Sequence, residues 1–170
     1  MKKLVEEFPN HLREALAIGR AATLNPCTKK IDNIVISGLG GSGIGGKIVS
    51  QIVADKADVP IVCTSDYVLP KFVNSNTLVI ISSYSGDTEE TVAALQEAIA
   101  KKAEIACVTS GGKVLAASKE HGFNHIIIPG GNPPRSMFGY SSVQLFFLLR
   151  HYGFIDGSFE QEVENSISLI

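Results

Sequence analysis

The fold is decided by the stretch Ile31 to Gly46, IDNIVISGLGGSGIGG, in which a short apolar run ends in glycines. Residues 31–37 predict a β-strand, and residues 43–54 (GIGGKIVSQIVA) predict a helix. Glycines let the connecting turn be tight and let its backbone approach a ligand. Because the free N–H groups and positive dipole end of the helix face that turn, the stretch predicts an anion site.

The same alternation of strand and helix continues along the chain. Further apolar strands are predicted at 59–64, 77–82, 104–109 and 125–128, with helices at 87–101, 113–120 and 140–152. This alternation, with strands apolar on both faces, predicts an α/β fold. The expected architecture is a doubly wound, five-stranded parallel sheet of flavodoxin-like order with helices on both faces.

The length of 170 residues fits one domain. We expect a helical segment at 1–30 that packs on the domain, and the domain itself at 31–153. Residues 154–170 read as the start of a helix with no Gly or Pro to end it. This pattern is typical of a fragment whose chain continues toward a second domain.

Composition excludes several classes of function. The net charge of −2 and the lack of a Lys/Arg cluster argue against nucleic-acid binding. Apolar runs fall short of the roughly 20 residues of a membrane span, and the charged N-terminus lacks a signal-peptide pattern. We therefore expect a cytoplasmic protein, with Cys63 and Cys107 as buried free thiols. No His/Cys spacing typical of a metal site occurs, so no metal is expected.

The glycine-rich turn also matches the dinucleotide-binding pattern. Gly38-x-Gly40-x-x-Gly43 follows a strand, and the acidic Asp66 follows the next strand. The turn alone leaves three alternatives open: a nucleotide site, another anion site, or only a tight connection. A P-loop is excluded, because Lys47 is followed by Ile48 rather than Ser or Thr.

A second polar loop, SSYSGDTEET, follows the third strand. Ser83, Ser85 and Thr88 lie at the start of the next helix, where hydroxyls and free N–H groups can surround one phosphate. The alternative is ordinary capping, with Ser85 or Asp87 as N-cap and Glu90 as its partner. In a doubly wound sheet the first and third strands flank the ligand crevice, so we expect both loops to converge on one anion.

A third loop, GGNPPRSMFGY, leaves the fifth strand at the same edge of the sheet. Its prolines stiffen it, and Arg135 at its centre could hold a phosphate or stabilise negative charge on a substrate. The alternative is a surface arginine beside a proline-rich turn.

Together the three loops resemble the sugar isomerase (SIS) domain, and the NPPRSMFGY loop resembles its bifunctional phosphoglucose/phosphomannose isomerase branch. The similarity covers nearly the whole chain, to about Tyr152. It implies that Gly41 and Ser42 line a sugar-phosphate pocket and that Ser83, Ser85 and Thr88 hold the phosphate. It also implies that Arg135 stabilises the enediolate, with no cofactor.

The same resemblance implies a division of labour between two tandem domains. The family base glutamate, and the histidine and lysine of ring opening, lie in the second domain; Glu89 and Glu90 match none of them. We therefore expect a chain that binds sugar phosphate without turnover. A stand-alone phosphosugar sensor and an NAD(P)-binding domain are the other hypotheses. We also expect a homodimer, with residues 140–152 as a possible pairing surface or, by preference, a core helix.

Overall fold

A computed structural model describes residues 2–170, so that Met1 of the predicted N-terminal segment lies outside it. Its five strands form one parallel sheet of order β2-β1-β3-β4-β5, which confirms the predicted fold class. The strands are β1 (Asn33–Ser37), β2 (Ile61–Thr64), β3 (Thr77–Ser83), β4 (Glu104–Thr109) and β5 (Asn124–Ile127).

Helices cover both faces of this sheet. One face packs against α2 (Phe8–Ala21), α3 (Gly40–Ile52) and α6 (Phe138–His151), and α7 (Ser158–Leu169) packs on α2 and α6. The other packs against α4 (Glu89–Ala100) and α5 (Gly112–His121). The short α1 (Lys2–Glu6) precedes α2, and a 3-10 helix, η1 (Pro134–Met137), precedes α6.

The apolar periodicity of β1 shows why two cores form. Ile34 and Ile36 belong to the cluster under α3 and α6, whereas Val35 belongs to the cluster under α4. Alternate side chains of a strand point to opposite faces, so a continuous apolar run fills both. The edge strand β2 is covered less completely, and Cys63 is therefore only partly buried, while Cys107 on the inner strand β4 is buried as predicted.

The strongly apolar segment 140–152 is a core helix, as the sequence favoured. In α6 every residue from Gly139 to Leu149 is buried. Even Gln144 is fully enclosed and donates its side-chain N–H to the carbonyl oxygen of Ala15 at 2.9 Å. Apart from the half-buried Phe138 at its start, α6 before Arg150 is therefore enclosed in the core of the chain.

The terminal helices complete the α6 face. Leu12 and Ala15 of α2 are buried and Ile18 is partly buried, and Phe159 of α7 stacks on Phe146 with ring centroids 5.4 Å apart. Within residues 2–170, no helix is long and apolar enough to cross a membrane. The boundary proposed at residue 153 stays a prediction, although α7 packs against the same core.

Candidate functional site

A pocket of about 350 Å³ opens at the carboxyl edge of the sheet, between the loops that follow β1 and β3. The strand order reverses between these two strands, which is the usual place for a ligand in such a fold. The loop after β5 closes the third side. Twelve residues line the pocket: Leu39, Gly40, Gly41, Ser42, Ser82, Ser83, Tyr84, Ser85, Thr88, Pro133, Pro134 and Arg135.

The structure brings all the predicted site residues to this one pocket. Gly41 and Ser42 come from the first loop, Ser83, Ser85 and Thr88 from the second, and Arg135 from the third. The convergence expected from the strand order is therefore present. Their individual roles in binding stay predictions.

The glycine-rich turn is more helical than predicted, because α3 begins at Gly40 rather than at Gly43. Leu39 occupies the N-cap position and offers no side-chain hydrogen bond, so the N–H groups of the first turn are left available to a ligand. Gly40 has a left-handed φ of 58°, which glycine adopts without strain. Gly41 sits against the third loop: a Cβ there would lie 3.4 Å from Cα of Arg135.

The second loop gathers its hydroxyl groups on the pocket wall. Oγ of Ser83 lies 3.3 Å from Oγ1 of Thr88, and Oγ of Ser85 accepts the backbone N–H of Asp87 at 3.3 Å. Thr88 is the N-cap of α4 but makes no side-chain cap hydrogen bond. The first N–H groups of this helix, next to the lining residue Thr88, therefore also lack a side-chain cap.

The capping alternative for this loop is wrong. The N-cap is Thr88, not Ser85 or Asp87, so no capping box with Glu90 forms. The carboxylate of Asp87 instead accepts the backbone N–H of Lys113, at 3.0 Å, in the first turn of α5. The side chain that looked like a cap for its own helix caps the neighbouring one, because the loop folds toward the end of β4.

Glycine makes this fold-back possible. Gly86 has a left-handed φ of 78°, and a Cβ at this position would lie 1.8 Å from the carbonyl oxygen of Gly111. No side chain fits there. The second loop is thus packed directly on the loop between β4 and α5.

The third loop presents Arg135 at the pocket mouth. Met137 is buried, and the hydroxyl of Tyr140 donates to the carboxylate of Glu14 on α2, which fixes the end of the loop to the core. Burial, and then Glu14, raise the pKa of Tyr140, so this donor stays protonated at neutral pH. Among the described residues, the exposed guanidinium of Arg135 has no hydrogen bond or ion pair, which leaves it available to an anionic ligand.

Acidic groups lie beside the pocket rather than in it. Glu89 and Glu90 occupy the first turn of α4, where they interact favourably with the helix dipole. The negative charge of Glu90 is the largest cause of a raised pKa at the exposed Tyr67. Within the described chain, no carboxylate, imidazole or lysine lines the pocket, and Asp66 is also outside the lining. The polar groups of the lining are therefore hydroxyls, backbone N–H groups and one guanidinium.

Six of the twelve lining residues were not among the predicted site residues, and two of these, Ser82 and Tyr84, carry hydroxyl groups. Tyr84 lines the pocket and its hydroxyl accepts the backbone N–H of Asn132 at 3.1 Å. The hydroxyl of Ser82 is fully buried and has no hydrogen-bond partner among the described residues. The only available signal was their position inside the SSYSG motif, which does not show where a side chain points.

The sequence and the fold are similar to those of known phosphosugar proteins. The chain is 41% identical over its whole length to a bifunctional phosphoglucose/phosphomannose isomerase from Caldicellulosiruptor bescii, of which it covers 50%. No family model matches the sequence. The chain thus spans about half the length of this curated relative.

Solved structures agree on the fold. The C-terminal domain of glucosamine-fructose-6-phosphate aminotransferase from Francisella tularensis superposes with a TM-score of 0.76 at 15% identity, over 99% of this chain and 53% of that one. The Vibrio vulnificus NanR protein complexed with ManNAc-6P superposes with a TM-score of 0.57 at 17% identity, over 92% and 59%.

These similarities define the class of the protein: it has the fold of a sugar isomerase (SIS) domain. By sequence it is a homologue of the bifunctional phosphoglucose/phosphomannose isomerases along its full length.

Proposed function

We propose that this chain is the sugar-phosphate-binding domain of an aldose–ketose isomerase. The parent enzyme would convert glucose 6-phosphate and mannose 6-phosphate to fructose 6-phosphate through a cis-enediol. The chain itself would bind these substrates and lack the catalytic base. The observation that carries the proposal is the convergence of three hydroxyls, two uncapped helix N-termini and one free arginine on a single pocket.

The phosphate end of the substrate is assigned to the second loop. Ser83, Ser85 and Thr88 can each donate a hydrogen bond to a phosphate oxygen, and the first N–H groups of α4 add further donors. Charge-assisted hydrogen bonds of this kind are about twice as strong as neutral ones. The positive end of the helix dipole favours the same anion.

The reacting end is assigned to the third loop. Arg135 adjoins the N-terminal turn of α3, where the Cβ position of Gly41 lies 3.4 Å from Cα of Arg135, and Gly41, Ser42 and Arg135 all line the pocket. A guanidinium there would stabilise the negative oxygen that develops as a proton leaves C2. The base that takes this proton must lie within about 3 Å of it, and the described lining offers no carboxylate or imidazole for that role.

The same lining favours one second candidate, a phosphosugar-sensing module. Such a domain needs the pocket but no base. We propose that in either role the protein is cytoplasmic, because three free thiols suit a reducing compartment. We also propose that it uses no cofactor.

We also propose that the chain forms a homodimer through a surface beside the pocket. Helix α3 exposes three isoleucines one turn apart, Ile44, Ile48 and Ile52, at 55%, 40% and 45%. A groove of about 320 Å³ between this face and Phe138 shares Gly41 and Arg135 with the sugar pocket. The fold occupies only about half of the similar chains, which leaves room in them for a second unit. We propose that a second copy of this chain docks on this groove.

Ligand titration tests the binding function. We expect fructose 6-phosphate, glucose 6-phosphate or mannose 6-phosphate to raise the melting temperature, and NAD(P) to leave it unchanged. The double variant Ser83→Ala/Ser85→Ala should lose at least tenfold in affinity, since a hydrogen bond to a charged group is worth about 1.5–3 kcal/mol.

The matched control removes two hydroxyls outside the pocket. Ser166→Ala/Ser168→Ala changes exposed serines of α7 that bond only within their own helix. It should bind sugar phosphate as the parent chain does. Stabilisation by NAD(P) and by no sugar phosphate would refute the proposal, as would isomerisation of fructose 6-phosphate by the isolated chain at an enzymic rate.

A further inference from the structure

Tyr84 lies in the middle of the second loop, and its hydroxyl bonds to the third loop rather than within its own loop. Ser83 and Ser85 offer their hydroxyls to the pocket, whereas the ring of Tyr84 is 9% exposed and packs in the larger core cluster. Its hydroxyl accepts the backbone N–H of Asn132, in the third loop, at 3.1 Å.

The backbone of Tyr84 is fixed independently of its side chain. Its carbonyl oxygen accepts both the backbone N–H of Ser110 at 2.9 Å and the hydroxyl of Ser110 at 2.7 Å. The residue is thus anchored to the loop after β4 and cannot follow movements of the third loop. Its hydroxyl is a fixed point to which Asn132 attaches.

The chain between Asn132 and Arg135 is stiff. Pro133 has a φ of −58° set by its ring, and Pro134 begins η1. The far end of this short segment rests on α3, where the Cβ position of Gly41 is 3.4 Å from Cα of Arg135. Two contacts therefore fix the backbone position from which the Arg135 side chain extends: the hydroxyl of Tyr84 at one end of the segment and Gly41 at the other.

We propose that Tyr84 is a positioning residue that couples the phosphate loop to Arg135. This inference rests on the proposed binding function. Through the hydrogen bond between the Tyr84 hydroxyl and the N–H of Asn132, the loop that holds the phosphate also fixes the position of Arg135 relative to the sugar. The distance between the two ends of the substrate is thereby built into the free protein, which lowers the ordering cost of binding.

The test is a double-mutant cycle between Tyr84→Phe and Arg135→Ala, read as affinity for fructose 6-phosphate. Tyr84→Phe keeps the ring in the core and removes only the hydroxyl; the exposed Asn132 can bond to water instead. We expect about a threefold to tenfold loss of affinity, the equivalent of one hydrogen bond. In the Arg135→Ala background the same change should have no further effect.

A matched control removes another hydrogen-bonded tyrosine hydroxyl, on a half-buried residue outside the pocket lining. Tyr152 accepts from Asn124 and donates to Glu104, at 3.0 Å and 3.1 Å. Tyr152→Phe should alter the melting temperature without altering affinity. Equal losses from Tyr84→Phe with and without Arg135, or a change in melting temperature alone, would overturn the inference.

Amide hydrogen exchange of the free protein separates this inference from the binding function. Tyr84→Phe should accelerate exchange of the amides of Asn132, Arg135, Ser136 and Met137 and leave residues 40–52 unchanged. If the parent chain binds no sugar phosphate but exchange accelerates, the binding function fails while the mechanical link holds. Unchanged exchange in a chain that does bind would overturn the link alone.

Discussion

At the scale of single residues, the glycines of α3 are not equivalent. A Cβ at Gly43 would lie 2.5 Å from the carbonyl oxygen of Gly38, which is backbone and cannot move aside. A Cβ at Gly45 would meet Phe138, Ser141 and Ser142 at 3.7–3.8 Å, an ordinary contact distance. The same substitution should therefore have opposite effects two positions apart.

We predict that Gly43→Ala lowers the free energy of unfolding by about 1–3 kcal/mol, as overpacking does. Gly45→Ala should raise it by about 0.4–1 kcal/mol, because alanine restricts the unfolded chain and suits a helix. Urea unfolding of the two variants beside the parent chain measures both. Equal effects of either sign would show that the close approach of α3 to the end of β1 does not constrain residue 43.

Site residues with a characteristic polar side chain could be predicted from the sequence. Site residues whose role depends on the direction of the side chain could not. Serines, threonine and arginine in loops after adjacent strands pointed to Ser83, Ser85, Thr88 and Arg135, and all of these line the pocket. Tyr84 gave no such signal, because an aromatic residue beside two serines can turn to either side of a loop.

At the scale of elements, the second loop depends on its neighbour. Asp87 was expected, as one alternative, to cap α4, but its carboxylate accepts the N–H of Lys113 in α5. Local patterns show that a side chain can cap a helix without showing which helix is nearest in space. The helix α3 begins at Gly40, three residues before its predicted start. Glycines at 40–43 are typical of a turn, and the sequence pattern does not show that they are helical in the folded chain.

We predict that Asp87→Ala lowers the free energy of unfolding by about 0.5–2 kcal/mol, the usual cost of a lost cap. It should also weaken sugar-phosphate binding, because the loop that carries Ser85 loses its attachment to α5. Asp87→Asn keeps an acceptor oxygen and should retain most of both. Asp66→Ala, an exposed acid outside the pocket lining, is the control. Full affinity in Asp87→Ala would contradict this support role.

Helix α7 is attached to the rest of the chain by both an aromatic contact and ion pairs, and the two can be compared. Phe159 contacts Phe146 and Phe147 with ring centroids at 5.4 and 5.0 Å. Arg20 of α2 pairs with Glu160 and Glu164 of α7 at 2.6 and 2.7 Å, but its side chain is half exposed. Exposed ion pairs are worth about 0–1 kcal/mol.

We therefore predict that Phe159→Ala lowers the free energy of unfolding by about 3–5 kcal/mol. Arg20→Met should lower it far less than Phe159→Ala does, because Arg150 still pairs with Glu160 and the pairs are solvated. Denaturant unfolding of both variants gives the comparison. A larger loss from Arg20→Met would mean that the charged network, not the aromatic contact, fastens α7.

At the scale of the whole molecule, sheet order and switch point followed from the sequence because a parallel sheet has few permitted topologies. The exposed face could not be predicted in the same way. Periodicity marks the isoleucines of α3 as apolar, and only the structure shows that Ile44, Ile48 and Ile52 lie outside the core. Their stripe begins at the pocket, where Arg135 belongs to both the groove and the sugar site.

We predict that this stripe is where a second copy docks, so that the chain sediments as a dimer at micromolar concentration. Ile48→Glu places a charge at the centre of the stripe and should give a folded monomer, since burying an unpaired carboxylate is costly. Val68→Glu, at an apolar side chain that is 68% exposed elsewhere, should leave the dimer intact. Sedimentation velocity distinguishes the two species, and circular dichroism confirms that each variant is folded. A monomeric parent chain, or an Ile48→Glu variant that remains dimeric, would refute this docking surface while leaving the sugar-phosphate pocket untouched.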